Sequence, residues 1–437
     1  MSTPKLFSSD VSEGLSCLSL CSITQRKGKD VDPCLDPLGK LWSRKLSTDL
    51  QLRVLGCLRY EDLFQFKCVS KQVKRFLESD PFRGLCVELS SKRVTLTVPY
   101  FFIASDGKWQ CVGFDTSLNR WRRLPPLAYL PKPEPELFKE YLVCAKGGLI
   151  CVNVSKSIDK ERLIVFNPLT GRCRVLPPLN HRRNPVLMSM IVDSATRAFK
   201  VVVAGSSSMH GELRNFSSIT EVFDSSTSEW KVTDNLPGPD FALNEFQTGV
   251  YQDGNILCIA FLEAEQKAIL VYNVDQGRWL TNWATPLPFS ASTNSTILQL
   301  VECSGKVYLF SEQEDTNGCV IHCVDRLEWT HLTGGAASGR LTNVIRSKKI
   351  GGGRSLEIYP EYTCVAYAES QLCIFNTVSH TGMIYDVQHD GPSGQAQVLQ
   401  APPQALGGEC FYSLNPLSFP LELSFTSQVD DHHVNPS

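Results

Sequence analysis

The sequence predicts a small all-α cluster near the start of the chain, followed by a large all-β ring of repeated four-stranded sheets. Three observations predict it. Apolar residues recur at helical spacing within "LWSRKLSTDLQLRVLGCLRYEDLFQFKCVSKQVKRFLESD", residues 41–80. Beyond residue 84, short apolar and β-branched runs alternate with turns rich in Gly, Asn, Asp and Ser. Those runs repeat with a period near 50 residues.

In the helical cluster, Leu46, Leu50, Val54 with Leu55, and Leu58 recur every three to four residues, one stripe of an amphipathic helix. Ser47, Thr48 or Asp49 supplies its N-terminal cap. Leu63, Phe66 and Val69 form a second stripe, and Val73, Phe76 and Leu77 a third, which ends where Asp80 precedes Pro81. Three helices of about ten residues cannot bury all these faces among themselves, so part of that surface meets something else.

The repeat is read from five segments: "VGFDTSLNRWRRLPPL", "IVFNPLTGRCRVLPPL", "EVFDSSTSEWKVTDNLP", "LVYNVDQGRWLTNWATPLP" and "VIHCVDRLEWTHL". A strand ends on an aromatic, then Asp or Asn opens a polar turn, and Trp follows seven residues after the aromatic. The pairs are Phe114 with Trp121, Phe223 with Trp230, and Tyr272 with Trp279. Phe166 with Cys173 loses the Trp, His322 with Trp329 loses the aromatic, and Tyr385 in "GMIYDVQHDGP" marks a weaker sixth copy. A small-residue turn lies upstream: Gly148 to Cys173, Gly205 to Trp230 and Gly254 to Trp279 are each 25 residues, and Gly305 to Trp329 is 24.

A unit of this length with four strands matches a propeller blade of the kelch class. One such sheet cannot bury both faces, whereas blades packed in a closed ring can. The repeated aromatics and Trp residues are therefore expected in the core between blades. Six units are read, at about 95–130, 138–180, 185–238, 243–288, 295–333 and 340–395. The first is shortened, because Gly107 precedes Trp121 by only 14 residues. Either 84–98 or 407–425 supplies the strand that completes the ring.

The 43 basic and 45 acidic residues leave a net charge of −2, which gives no field drawing the chain to nucleic acid or acidic lipid. No secretory signal and no membrane-spanning run is read, so a soluble intracellular protein is expected, in the nucleus and/or cytoplasm. The 17 cysteines are odd in number, contain no C-x-x-C pair, and sit mostly in apolar runs such as "NILCIAF". They read as reduced core thiols, with no metal and no cofactor expected. No G-x-S-x-G, P-loop or H-E-x-x-H is present, and "KKIGGGRS" (348–355) lacks the context of a phosphate cradle. The chain is not expected to be an enzyme. Polar insertions at 156–162, 206–218, 311–318 and 333–355 are the candidate recognition loops, though none is assigned target-binding residues.

"KLSTDLQLRVLGCLRYEDLFQFKCVSKQVKRFL" resembles an F-box. Leu46, Asp49, Leu50, Val54, Leu55, Leu58, Asp62, Leu63, Phe66, Val69 and Lys71 follow its pattern in order and spacing. Ser47 and Arg59 stand where proline is usual, Ser70 replaces cysteine and Val73 replaces tryptophan. With the repeats and the doubled "LPPL", the whole resembles plant F-box/kelch-repeat proteins. The implied organisation is a disordered segment 1–40, an F-box 41–82, a kelch-type propeller 84–425 and a polar tail 426–437. The implied role is the substrate receptor of a Skp–cullin–F-box ubiquitin ligase, with an unknown target protein held by the propeller. Leu46, Leu50, Val54, Leu55, Leu58, Leu63, Phe66 and Val69 would dock on the Skp adaptor, which links to cullin. A propeller scaffold with no ligase role is the second reading, and the departures from the F-box pattern favour it.

Overall fold

The computed structural model describes residues 46–58, 63, 71–77, 79, 81–82 and 85. From 94 to 429 it describes all but 105–106, 128–129, 131–141, 155–161, 184, 194, 206–216, 238–241, 244–246, 262–265, 291–296, 332–336, 350–360, 389–395, 404–411, 414–416, 425–426 and 428. The segment 1–40 therefore lies outside the described residues. Two compact units meet at Leu58/Arg59, inside the F-box expected over 41–82. The first contains the helix Thr48–Gly56. The second contains a short helix, Lys71–Leu77, and six antiparallel sheets. The helix ends at Leu77, ahead of Asp80 and Pro81 as the sequence suggested, and Pro81 and Phe82 are again helical.

The six sheets are the blades of a β-propeller. Blade 2 shows the plan, with Val143–Lys146 innermost, then Leu149–Asn153, Leu163–Phe166 and Cys173–Val175. Blade 3 runs from Leu187–Val192 to Glu229–Val232, and blade 6 from Tyr362–Ala368 to Gln397–Leu399. Blade 4 divides its inner position between Ala242–Leu243 and Val250–Gln252, and its outer position between Arg278–Trp279 and Thr285–Ser290. Six apolar clusters fill the six joins between consecutive blades, so the core lies between sheets.

The Asp or Asn after each aromatic folds the hairpin to the outer strand. Asp115 Oδ1 accepts from the Ser117 amide at 2.9 Å, Asn167 Oδ1 from Leu169 at 2.9 Å, Asp224 Oδ1 from Ser226 at 2.9 Å and Asn273 Oδ1 from Gln276 at 2.8 Å. Four residues after each, Asn119, Gly171, Ser228 and Gly277 adopt positive φ and close the turn. In blade 6 the third strand, Thr381–Asp386, ends on Tyr385 and Asp386, and Asp386 Oδ1 accepts from Gln388 at 2.8 Å.

Phe114, Trp121, Phe166, Phe223, Trp230, Tyr272 and Trp279 are all buried, each in the cluster shared with the preceding blade. The indole N–H groups cross the same joins. Trp121 donates to the Gln400 carbonyl at 2.7 Å, Trp230 to the Pro177 carbonyl at 2.8 Å, and Trp279 to Thr220 Oγ1 at 3.0 Å. Trp279→Phe would keep most of the ring's packing and leave the buried Thr220 hydroxyl without this donor. Loss of about 1–2 kcal/mol of unfolding free energy is expected in denaturant titrations.

Three details of the repeat differ from expectation. His322 and Trp329 both lie in the third strand of blade 5, Val320–His331, rather than across a hairpin. An interval of seven along one strand is odd, so they face opposite ways. His322 meets Tyr362 of blade 6, whereas half-buried Trp329 meets Trp283 of blade 4 with ring centroids 5.6 Å apart. Gly205 follows the second strand of blade 3, and the turn between its first two strands is Asp193–Ala198, closed by Arg197 at positive φ. Residues 333–355 are not one insertion: Ala337–Lys348 is the outer strand of blade 5. Likewise Ser311 to Glu314 belong to the strand Lys306–Glu314, with Ser311 and Glu312 buried.

Both ends of the propeller segment build blade 1. Val94–Ile103 pairs on one side with Trp109–Asp115 and on the other with Tyr412–Ser413 and Leu421–Leu423. The C-terminal run is thus the inner strand, and 94–103 is the second. Blade 1 is complete rather than shortened, because Gly107 turns between its second and third strands. The closing run continues past the expected boundary at 425, with Ser427 and Val429 both buried. Asn167 Nδ2 donates to the carbonyls of Ser424 at 2.7 Å and Ser427 at 3.1 Å, and Ser427 Oγ donates to the Gly147 carbonyl. Gly148, at φ +86°, leaves room for this run, since an added Cβ would sit 2.6 Å from Ser424 Cβ. Gly148→Ala should cost about 2–4 kcal/mol and lower the thermal midpoint, from left-handed strain plus overpacking.

Candidate functional site

The helix Thr48–Gly56 begins where Ser47 caps it. Ser47 has extended backbone (φ −62°, ψ 153°), and its Oγ accepts from the Leu50 amide at 3.3 Å. Gln51 Nε2 reaches back to the Leu46 carbonyl at 2.9 Å, and Asp49 pairs with Arg53 at 3.2 Å one turn on. The apolar positions do not form one stripe. Leu50 is 49% exposed and Val54 44%, whereas Leu55 is buried. At 100° per residue, Leu55 lies about 140° around the helix from Leu50, while Val54 lies only about 40° away. The helix therefore offers two large apolar side chains to solvent, one turn apart, on a capped frame.

The propeller offers a cavity of about 110 Å³ beside the closing strand, lined among others by Lys146, Ser189, Tyr251, Glu302, Ser418 and Glu422. Its chemistry is mixed in charge and offers no activated nucleophile. Burial, followed by the neighbouring Cys151, pushes the Cys144 thiol well up, and burial likewise raises the Tyr251 hydroxyl. No group of three or more His, Cys, Asp or Glu able to hold a metal exists among the described residues. Burial raises the Cys111, Cys258, Cys364 and Cys373 thiols as well, and Cys323 to about 11. These thiols serve as small apolar groups in the blade joins.

Two of the buried charged groupings among the described residues tie neighbouring parts of the propeller together. Glu221 pairs with Arg183 and accepts the amides of Asn180 at 2.9 Å and His181 at 3.2 Å. Arg183 also donates to the carbonyls of Gly205 and Ile219, both at 3.1 Å, tying the segment between blades 2 and 3 to blade 3. At the join of blades 5 and 6, Lys349 Nζ lies 3.4 Å from Glu312 and 3.0 Å from Glu361, with His322 Nε2 3.5 Å from Glu312. Lys349 thus answers both Glu312 and Glu361, and Arg183 answers Glu221, which suits a clasp between blades.

Two family models match the chain. Residues 44–84 match the F-box domain, and residues 126–335 match the F-box associated beta propeller domain. The chain is thus similar to these two domain families over those residues. A search of the curated proteins finds no match.

The eight residues expected to dock on an adaptor divide by burial. Leu50 and Val54 are exposed, Leu46 and Leu58 are half-buried, and Leu55 and Leu63 are buried. Phe66 and Val69 lie outside the described residues. The F-box associated propeller match spans blades 2 to 4 and reaches into blade 5. Of the expected recognition insertions, 206–216 and almost all of 156–162 lie outside the described residues. The clasp at Glu312, His322, Lys349 and Glu361 escaped sequence reasoning, because its members lie in segments that read as polar loops and one weak repeat. No helix among the described residues is long and apolar enough to cross a membrane.

Proposed function

We propose that the chain is the substrate-recognition subunit of an SCF-type ubiquitin ligase. The observation that carries this reading is the exposed pair Leu50 and Val54 on a capped helix inside the matched F-box segment. The F-box docks on the Skp adaptor and through it on cullin, with Leu46, Leu50, Val54 and Leu58 forming the contact. Leu55 and Leu63 act from inside the fold. The propeller holds a target protein, and the chain itself catalyses nothing. Its contribution is effective concentration, because it keeps target lysines close to a ubiquitin thioester held elsewhere in the complex. The likeness to plant kelch-repeat receptors belongs to this reading and rests on the blade period and the doubled "LPPL". A receptor of this kind works in the nucleus and/or cytoplasm. The test is binding of the purified chain to purified Skp adaptor, read by co-elution and titration calorimetry. A stable complex is expected, and a folded chain that fails to bind would overturn the reading in favour of a propeller scaffold.

A further inference from the structure

The outer strands of five blades are short or broken: Arg120–Arg123, Cys173–Val175, Glu229–Val232, Gln397–Leu399, and the split pair Arg278–Trp279 and Thr285–Ser290. Blade 5 differs. Its outer strand, Ala337–Lys348, runs for 12 residues and pairs on one side only, with Val320–His331. Such an edge presents a row of backbone N–H and C=O groups. Blade 4 covers its start, where the Gly339 amide donates to Thr285 Oγ1 at 3.2 Å. From Leu341 onward no other described strand pairs with it.

The uncovered stretch is basic. Arg346 and Lys348 are exposed, as is Arg340 just before it. Arg340 stands opposite Glu328 in the sheet, and Lys348 lies near enough to Asp315 to add to the lowering of that carboxyl by the Cys319 amide. Arg346 and Lys348 are two residues apart and so project from the same face of the sheet. These cations decide what the edge accepts. Two copies of this strand would bring like charges together, which disfavours self-pairing, whereas an acidic strand meets opposite charges at alternate positions. Main-chain pairing supplies affinity that is indifferent to sequence, and the charges supply the selection.

We propose that the edge 341–348 captures an extended acidic peptide segment, which adds to blade 5 as a fifth strand with acidic side chains facing Arg346 and Lys348. This rests on the receptor reading only for the source of the peptide, a target protein; the binding itself is a property of the propeller.

The full chain, without adaptor, would be titrated against three labelled synthetic peptides and followed by fluorescence anisotropy. One alternates Val and Glu, the second has Lys for every Glu, and the third is the Glu peptide with its two central valines replaced by proline. The Glu peptide alone should bind, and more weakly at high salt. In Arg346→Glu with Lys348→Glu, both side chains are exposed and the fold should persist by circular dichroism. Its preference should move towards the Lys peptide by roughly tenfold or more. No binding of the Glu peptide overturns the proposal, as does equal binding of the Lys peptide. Equal binding of the proline peptide removes strand addition and overturns it too, and so does an unchanged preference in the folded variant. Adaptor is absent from the assay, so failure here and failure of the receptor reading are separate results.

Discussion

A chain ending at residue 411 should fail to fold its propeller, while a chain ending at residue 430 should keep it. The deleted run supplies the inner strand of blade 1, at Tyr412–Ser413 and Leu421–Leu423. Leu417, Leu421 and Leu423 are buried in the cluster between blades 1 and 2, and Val429 in the cluster between blades 2 and 3. Burial of four such side chains contributes about 6–12 kcal/mol, which is comparable to the whole net stability of a typical domain, about 5–15 kcal/mol. Backbone bonds add to the loss, since the Leu417 amide donates to the Pro99 carbonyl at 2.8 Å and the Ala366 amide to the Ser418 carbonyl at 3.2 Å. The measurement is soluble yield and circular dichroism of the two chains side by side. A soluble, cooperatively melting chain ending at 411 would show that the ring does not depend on this strand.

Leu50→Asp combined with Val54→Asp should abolish adaptor binding and leave the protein folded. Both side chains already stand about half in water, so placing carboxylates there disturbs little internal packing. In a desolvated interface the same carboxylates lose hydration with no partner in return. The two together should cost at least about 4 kcal/mol, roughly a thousandfold in Kd. Leu55→Asp is the informative contrast. It places a charge where the native side chain is 1% exposed, so lost helix structure should accompany any loss of binding. Unimpaired capture by the folded double variant would place the adaptor contact elsewhere.

The propeller was legible because its turns and joins use side chains that few other residues replace. Asp115, Asn167, Asp224 and Asn273 fold hairpins through their own oxygens, and Trp121, Trp230 and Trp279 donate across blade joins. Those needs recur in every blade that has them, so they print a period on the sequence. In blade 5 the unit was legible but its hairpin was misplaced, because one strand is long enough to hold both His322 and Trp329, and a fixed interval does not report which side of a turn a residue occupies. Strand closure was ambiguous because 84–98 and 407–425 both carry apolar β-forming runs, and parts of both belong to blade 1. On the helix, spacing identified the apolar positions but not which of them turn inward. Leu50 and Leu55 differ by burial that depends on neighbours distant in the sequence, and the charged clasp of blades 5 and 6 is hidden for the same reason.

The strand that seals blade 1 is made after every other described strand of the propeller. While translation proceeds, Val94–Ile103 waits with one edge open and no partner yet made, even as later blades emerge and pack. The ring therefore stays open until all six blades have been made. A message truncated anywhere upstream of the closing strand yields an F-box segment joined to an unsealed sheet edge, a product prone to aggregation and clearance. Only a chain that reaches the closing strand carries an intact propeller.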